Sequence, residues 1–196
     1  IYYPLSVLML AGIRAIAIIT TPEDQSAFQR LLGTGEPWGL SFTWIVQPAP
    51  EGLAQAYLLA ADFLAGAPSA LVLGDNLFFG HGLTERLREA DRRSRGGTVF
   101  GYRVADPTRY GVVGFDADGR VESLVEKPRQ PASNYAVTGL YFLDGEAPAR
   151  AATVTPSDRG ELEITDLLEQ YRRNDQLRVE LMGRGYAWLD TGTHGS

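Results

Sequence analysis

The sequence predicts one α/β domain with a mostly parallel central sheet, helices on both of its faces, and an antiparallel insertion in its second half. Two observations lead to this prediction. In residues 1–104, apolar runs of strand length alternate with amphipathic segments of helix length, as in βαβ units. After residue 104 the runs become short and flank turn-forming residues. No linker, repeat or low-complexity segment divides the chain, so we expect a single domain over residues 1–196.

The first half contains the predicted parallel units. Its strands are predicted at residues 15–19, 41–46, 70–73 and 98–104, and its helices at residues 5–11, 53–64 and 82–95. Another helix begins after Thr21, a suitable N-cap, with Pro22 in the first turn and two acids at the positive end of the helix dipole.

The second half contains the predicted insertion. Residues 110–115 and 120–126 flank the turn-rich segment 116–119 and suit a hairpin. Further strands are predicted at residues 136–143, 177–181 and 186–189, and a helix at 161–174. A doubly wound domain usually opens with a buried strand and a loop, whereas this sequence opens with a helix. We therefore expect residues 1–196 to lack that first strand.

Composition excludes several classes of function. The net charge of −6 argues against a nucleic-acid partner, because backbone binding depends on clustered Lys and Arg. The absence of Cys excludes disulfides, thiolate catalysis and Cys-ligated zinc. No apolar run reaches the roughly 18 residues of a membrane span, so we expect no membrane partner and a cytoplasmic location.

Two aspartates end short apolar strands. Asp75 follows residues 71–73 and Gly74, and Asp190 follows residues 186–189. Ligands of open α/β sheets bind at strand ends, and Mg²⁺ suits one or two carboxylates that bridge it to substrate phosphates. Asp75 by itself could equally cap the next helix or turn. The two together predict a Mg²⁺ site, although two turns would give the same pattern.

Segment 47–56 connects a strand to a helix and is stiffened by two prolines. Gly52 permits close backbone approach to a ligand at the helix N-terminus. Gln47 offers a donor and an acceptor, which can pair with the imide edge of thymine or uracil. The physics of the segment alone favours the other interpretation, a stiff connection with an exposed glutamine.

A third candidate is Glu126-Lys127-Pro128, where a predicted strand ends. Lys127 could contact a phosphate and Glu126 could accept from sugar hydroxyls. The alternative is an exposed ion pair of little energetic weight. Gly111 and Gly139 stand in strands where the backbone can approach a ring closely.

Eight segments, in order along the chain, resemble the glucose-1-phosphate thymidylyltransferase family of sugar nucleotidyltransferases. They are residues 1–6, 47–56, 73–79, 109–113, 126–128, 134–141, 159–166 and 183–194. The most specific are Gly-Glu-Leu-Glu-Ile-Thr-Asp at 160–166 and Trp-Leu-Asp-Thr-Gly-Thr at 188–193. The resemblance implies a Rossmann-like nucleotidyltransferase fold.

The resemblance also implies a reaction and a set of roles. Family members form dTDP-glucose and pyrophosphate from dTTP and glucose 1-phosphate, the entry step to dTDP-rhamnose, by in-line attack on the α-phosphorus. A homotetramer is typical. The implied residues are Asp75 and Asp190 for Mg²⁺, Gln47 and Gly52 for thymine, Asn76, Gly111, Glu126 and Val137 for glucose, and Lys127 for its phosphate.

One departure limits the resemblance. The family carries a first strand with a Gly-rich loop ending in Gly-Thr-Arg, then a Lys, and also C-terminal helices. Residues 1–196 contain none of these, so we expect an active gene product but an inactive polypeptide 1–196. Two alternatives remain open: another sugar nucleotidyltransferase, chiefly one that uses UTP, or a non-catalytic regulatory module that binds sugar nucleotides.

Overall fold

Helices and strands alternate along residues 1–192, the part of the chain that the computed structural model describes. The helices are α1 (Tyr2–Ala11), α2 (Pro22–Leu32), α3 (Gln55–Leu59), α4 (Ala61–Leu64), α5 (Leu83–Asp91), α6 (Ala147–Ala151) and α7 (Ile164–Arg173). The strands are β1 (Ala15–Thr20), β2 (Ser41–Val46), β3 (Ser69–Val72), β4 (Asn76–Gly80), β5 (Gly97–Arg103), β6 (Gly111–Phe115), β7 (Val121–Glu126), β8 (Tyr135–Leu143), β9 (Leu177–Met182) and β10 (Tyr186–Asp190). Over these residues, no helix has the length and apolarity needed to cross a membrane.

Local chemistry accounts for most helix ends. The Oγ1 of Thr21 accepts from the Asp24 N–H at 3.3 Å, and Pro22 opens α2, so the predicted N-cap is confirmed. Gly12 ends α1 with a φ of 98°, a conformation that favours glycine. The helix predicted over 53–64 is instead divided at Ala60 into α3 and α4.

The largest sheet is centred on β8. Its order is β7-β6-β8-β5-β9. β5 pairs along the length of β8, whereas β3 and β6 pair with opposite ends of it, β3 at 140–143 and β6 at Ala136. β1 and β2 form a separate parallel pair, and β4 and β10 form a separate antiparallel pair.

The predicted α/β class and the hairpin of β6 and β7 are confirmed, but the expectation of a mostly parallel sheet is wrong for the described strands. Of their seven pairings, only β1 with β2 and β5 with β9 are parallel. The periodicity of a strand predicts its burial but not its direction. Here direction depends on β8, which enters the sheet antiparallel to β3, β5 and β6.

Helices cover both faces of this sheet, as predicted. The side chains of β8 alternate between the two cores. Val137, Tyr141 and Leu143 pack with residues of α3, α6 and α7. Ala136, Leu140 and Phe142 pack on the other face with residues of α1 and α5.

An apolar cavity of about 440 Å³ lies between β1 and β3. Residues 15–19 and 67–74 line it, together with parts of α1 and α3. Within residues 1–192, β1 pairs only with β2 and β3 only with β8, so each has one edge without a strand partner. Gln47, Gly52 and Gly74 also line the cavity, which therefore extends from the segment 47–56 to the residue before Asp75.

Candidate active site

The antiparallel pair of β4 and β10 brings the two predicted metal ligands together. Its register sets Asp190 opposite Asn76, so the end of β10 lies beside Asp75. The N–H and the Oγ1 of Thr191 both donate to the Asp75 carbonyl, at 3.0 and 2.8 Å. A strand follows Asp75, not a helix, so the helix-cap interpretation of Asp75 is wrong.

Gly192 keeps a small space open between the two carboxylates. A Cβ at this position would collide with Asp75 Oδ2 and lie 3.3 Å from Asp190 Oδ1. The Gly192 N–H donates to Asp190 Oδ1 at 3.1 Å. Both carboxylates therefore border one space, and Asp75 is exposed to solvent.

Two convergent carboxylates fit Mg²⁺, which prefers hard oxygen ligands and completes its shell with water and substrate phosphates. No cluster of three or more His, Cys, Asp or Glu with metal-binding geometry occurs in residues 1–192. Among the described carboxylates, Asp75 and Asp190 are therefore the pair that would hold a cation here, with further oxygens completing its shell. Thr193, which belongs to the same sequence motif, lies outside the described residues.

Asn76 is buried beside Asp75, with only 2% of its surface exposed. Its Nδ2 donates to Asp75 Oδ1 at 2.8 Å. Its Oδ1 accepts from the N–H of Gly139 at 3.0 Å and from Nε1 of Trp188 at 2.6 Å. The amide of Asn76, predicted to contact glucose, thus also links β4, β8 and β10.

The other predicted glucose contacts meet on β6, β7 and β8. Gly111 pairs with Glu126. A Cβ at Gly111 would lie 2.7 Å from Thr165 Cγ2, 3.2 Å from Glu126 Oε2 and 3.9 Å from Val137 Cβ. The bare glycine therefore lets Glu126, Val137 and Thr165 pack around one point.

Lys127 adopts an unusual backbone conformation directly after β7. Its φ is +41°, and its N–H donates to the Tyr110 carbonyl at 3.0 Å. Its Nζ lies 3.9 Å from Glu126 Oε1. Residues other than glycine rarely take a positive φ, and such strain clusters at functional sites. The side chain of Lys127 is exposed beside Glu126, and its contact with a phosphate stays a prediction.

Arg159 and Thr165 both reach Glu126, although no role for either residue is predicted from the sequence. Nη2 of Arg159 lies 3.7 Å from Glu126 Oε1 and donates to both oxygens of Glu163, at 2.8 and 2.9 Å. Oγ1 of Thr165 donates to Glu126 Oε2 at 3.3 Å. The spacing of Arg159 and Glu163 predicts their pairing, but no local signal connects either residue to Glu126.

The carboxylate of Glu126 lies in an electrostatically mixed environment. Burial raises its pKa, and the nearby Glu163 adds to this effect. Lys127, Arg159 and the hydroxyl of Thr165 lower the pKa in part. The balance leaves the pKa of Glu126 above the ordinary value.

Tyr141 connects the two halves of the site. Burial raises its pKa, and the negative charges of Glu126 and Asp75 raise it further. Val137, Gly139 and Tyr141 occupy alternate positions of β8 and therefore share one face. The aspartate pair and the Glu126 group thus lie along the same face of one strand.

The predicted base-binding segment borders the cavity. Nε2 of Gln47 donates to Gln55 Oε1 at 2.5 Å. Gly52 has a φ of +100°, and a Cβ there would lie 2.6 Å from the Leu162 nitrogen. The close neighbour of Gly52 is therefore the backbone at Leu162, which explains the glycine without a ligand.

Comparison with known sequences identifies the family to which the chain belongs. The sequence model of the nucleotidyl transferase family matches residues 1–196. The glucose-1-phosphate thymidylyltransferase of Xanthomonas campestris pv. campestris (strain B100) is 63% identical over all of this chain, which corresponds to 66% of that protein. The protein of the same name from Mycobacterium tuberculosis (strain ATCC 25618 / H37Rv) is 50% identical over all of this chain and 68% of its own length. This chain thus spans about two thirds of the length of these relatives.

Solved structures show the same fold. A Bacillus anthracis protein, crystallised with sucrose and provisionally named a glucose-1-phosphate thymidylyltransferase, aligns with a TM-score of 0.89 and 36% identity over 99% of this chain and 77% of that chain. UDP-glucose pyrophosphorylase in complex with UDP-glucose aligns with a TM-score of 0.82 over 97% of this chain and 80% of that chain; at 22% identity this match shows the fold alone. The α/β nucleotidyltransferase fold is confirmed. The chain therefore belongs to the nucleotidyl transferase family, in which it is related to the glucose-1-phosphate thymidylyltransferases.

Proposed function

We propose that this domain is the catalytic core of an enzyme that forms dTDP-glucose and pyrophosphate from dTTP and glucose 1-phosphate. The proposal is carried by the meeting of Asp75 and Asp190 at Gly192, on the same face of β8 that borders Gly111 and Glu126. Relatives at 50% and 63% identity that bear the name of this activity support it.

Asp75 and Asp190 would hold Mg²⁺. When bound, this ion would neutralise negative charge on the phosphates of dTTP and on the departing pyrophosphate. The described part of the chain places two carboxylates around one small space, and the exposure of Asp75 lets substrate oxygens complete the shell.

The sugar phosphate would bind along β6, β7 and β8. Glu126 would accept hydrogen bonds from glucose hydroxyls, and Asn76, Gly111 and Val137 would contact the sugar. Lys127 would attract the phosphate, aligning its oxygen for in-line attack on the α-phosphorus. This chemistry consists mainly of positioning and charge neutralisation, so no covalent nucleophile is needed.

Gln47 and Gly52 would bind the base. The amide of Gln47 can pair with the imide edge that thymine and uracil share, so this contact does not separate thymine from uracil. UTP is therefore the competing substrate that a test must include.

The proposal is tested by measuring turnover by the gene product. Pyrophosphate release is measured with glucose 1-phosphate and each of dTTP, UTP, CTP and GTP, for the native protein and for Asp75→Asn. We expect dTTP to be preferred and Asp75→Asn to lose most activity with its circular dichroism unchanged. A preference for CTP or GTP would refute the proposal, and a preference for UTP would identify a UTP-dependent enzyme. Binding of dTDP-glucose without turnover would identify a regulatory module.

The polypeptide 1–196 is a further arm of this test. It contains no Gly-Thr-Arg run to hold a triphosphate, so we expect it to show no turnover by itself. Turnover by this polypeptide would contradict the need for such a loop.

We also propose that the gene product is a cytoplasmic homotetramer that supplies a dTDP-rhamnose pathway. Sedimentation of the gene product checks the tetramer, and cellular fractionation checks its location.

A further inference from the structure

A chain of hydrogen bonds runs from Trp188 to Asp75. Nε1 of Trp188 donates to Asn76 Oδ1 at 2.6 Å, and Nδ2 of Asn76 donates to Asp75 Oδ1 at 2.8 Å. The first two side chains of this series are buried, with 7% of Trp188 and 2% of Asn76 exposed. Asp75 at the end of the chain is exposed.

The orientation of the Asn76 amide follows from its partners. An indole N–H and a backbone N–H only donate, so Trp188 and Gly139 both need an acceptor. Oδ1 of Asn76 serves both of them. A flipped amide would face these two buried donors with its own N–H groups and would turn its oxygen toward a carboxylate. Because unpaired buried donors are costly, Nδ2 must face Asp75.

Trp188 itself is held in place by its neighbours. It pairs with Phe78 across β4 and β10. The rings of Tyr102 and Tyr110 pack edge-on against it, with centroids 5.9 and 5.2 Å away. The indole N–H therefore has one available direction, toward Asn76.

We propose that Trp188 is a positioning residue that acts through Asn76 to orient the carboxylate of Asp75 toward Asp190. This inference rests on the metal-binding role proposed for Asp75. An exposed aspartate would otherwise rotate freely, and the hydrogen bond to its Oδ1 leaves Oδ2 at the space beside Gly192. The contribution of Trp188 is therefore to preorganise the metal ligand.

The test is Trp188→Phe, which keeps an aromatic ring against the two tyrosines and removes the indole donor together with part of the ring. Trp38→Phe is the matched control, because Trp38 lies outside the site and packs against Tyr2. Binding of Mn²⁺ alone is measured from the electron paramagnetic resonance of the free ion, with thermal unfolding recorded in parallel. We expect Mn²⁺ affinity to fall about tenfold in Trp188→Phe, the lower end of what losing an outer partner of a metal ligand costs. Trp38→Phe should bind as the native protein does.

A folded Trp188→Phe protein with native Mn²⁺ affinity would overturn the inference. Asp75→Asn separates this failure from failure of the proposed function. Native Mn²⁺ affinity in Asp75→Asn would contradict the metal-binding role of Asp75 itself. Weak Mn²⁺ binding by Asp75→Asn together with native binding by Trp188→Phe would contradict only the positioning role of Trp188.

A second measurement needs no variant and applies even if Trp188→Phe does not fold. In the native protein, the indole N–H signal of Trp188 and the side-chain amide signals of Asn76 are followed by NMR as Mg²⁺ is added. We expect both sets to shift together with the saturation of the metal site. If the metal site becomes saturated and neither set of signals shifts, the positioning role of Trp188 is contradicted.

Discussion

Gly139 is a position where one added carbon should disturb both the sheet and the site. It lies in β8, and a Cβ there would be 2.5 Å from Asn76 Oδ1 and 2.7 Å from Leu73 Cδ1. Asn76 cannot simply rotate away, because Trp188 and the N–H of Gly139 hold its amide. We therefore predict that Gly139→Ala displaces Asn76 and, with it, the carboxylate of Asp75.

The size of the effect follows from two opposing contributions. Overpacking a close-packed interior costs about 1–3 kcal/mol. Replacing glycine by alanine within a strand regains about 0.5–1 kcal/mol. The free energy of unfolding should therefore fall by about 1–2 kcal/mol, which at about 2–4 °C per kcal/mol lowers the melting temperature by about 5 °C. Loss of the Asp75 orientation should weaken metal affinity by about tenfold or more.

Thermal unfolding by circular dichroism and the Mg²⁺ dependence of turnover check these two numbers. Gly101→Ala in β5 is the matched control, because the nearest atoms to a Cβ there would be side-chain methyls, Leu181 Cδ2 at 2.9 Å and Val179 Cγ1 at 3.3 Å, and none belongs to the site. It should cost some stability and leave the Mg²⁺ dependence unchanged. A Gly139→Ala protein that melts and responds to Mg²⁺ as the native protein does would contradict this prediction, and so would the same Mg²⁺ defect in Gly101→Ala.

Three further substitutions test the proposed roles in the gene product. Asp75→Asn should remove most turnover at ordinary Mg²⁺ concentrations while the fold stays intact. Near-normal turnover would mean that Asp75 only shapes a turn. Gln47→Ala should weaken the preference for dTTP, measured as kcat/KM ratios, more than the preference for glucose 1-phosphate, and an unchanged dTTP preference would contradict base reading. Folding raises the pKa of Glu126, so its contribution to stability is present below the ordinary pKa and is lost as pH rises through the raised value. Glu126→Gln should therefore melt above the native protein at neutral pH and by a smaller margin in acid, and a larger margin in acid would contradict this sign.

The parts of the fold and site that could be predicted are those that local chemistry determines. The runs that became β1 and β2 are apolar and β-branched over about the length of a strand. Thr21 and Pro22 carry the start signal of α2 within two residues. Asp75 and Asp190 were found because a carboxylate that ends an apolar run is visible in the sequence alone.

The parts that could not be predicted depend on contacts between distant segments. β4 has only five residues and lies between turn-forming ones, and it is a strand because β10 pairs with it more than 100 residues later. Similarly, the pattern of α7 marks Thr165 as buried but does not show that its hydroxyl faces Glu126 across 39 positions. Strand direction in the β8 sheet has the same origin, since it is decided by which strands β8 meets.

The charges of the site give a physical reason to connect the aspartate pair with a cation. Asp75 and Asp190 border the space at Gly192, and Glu126 lies along the same face of β8. Among the cations near Glu126, Arg159 is already held by both oxygens of Glu163, and the Nζ of Lys127 lies 3.9 Å from Glu126 Oε1. A nucleoside triphosphate would meet two carboxylates at this edge, and the repulsion would be strong wherever water is excluded. A divalent ion held by the two carboxylates would neutralise their charge and present a local positive charge to the phosphates, so the repulsive edge would become a phosphate-binding one.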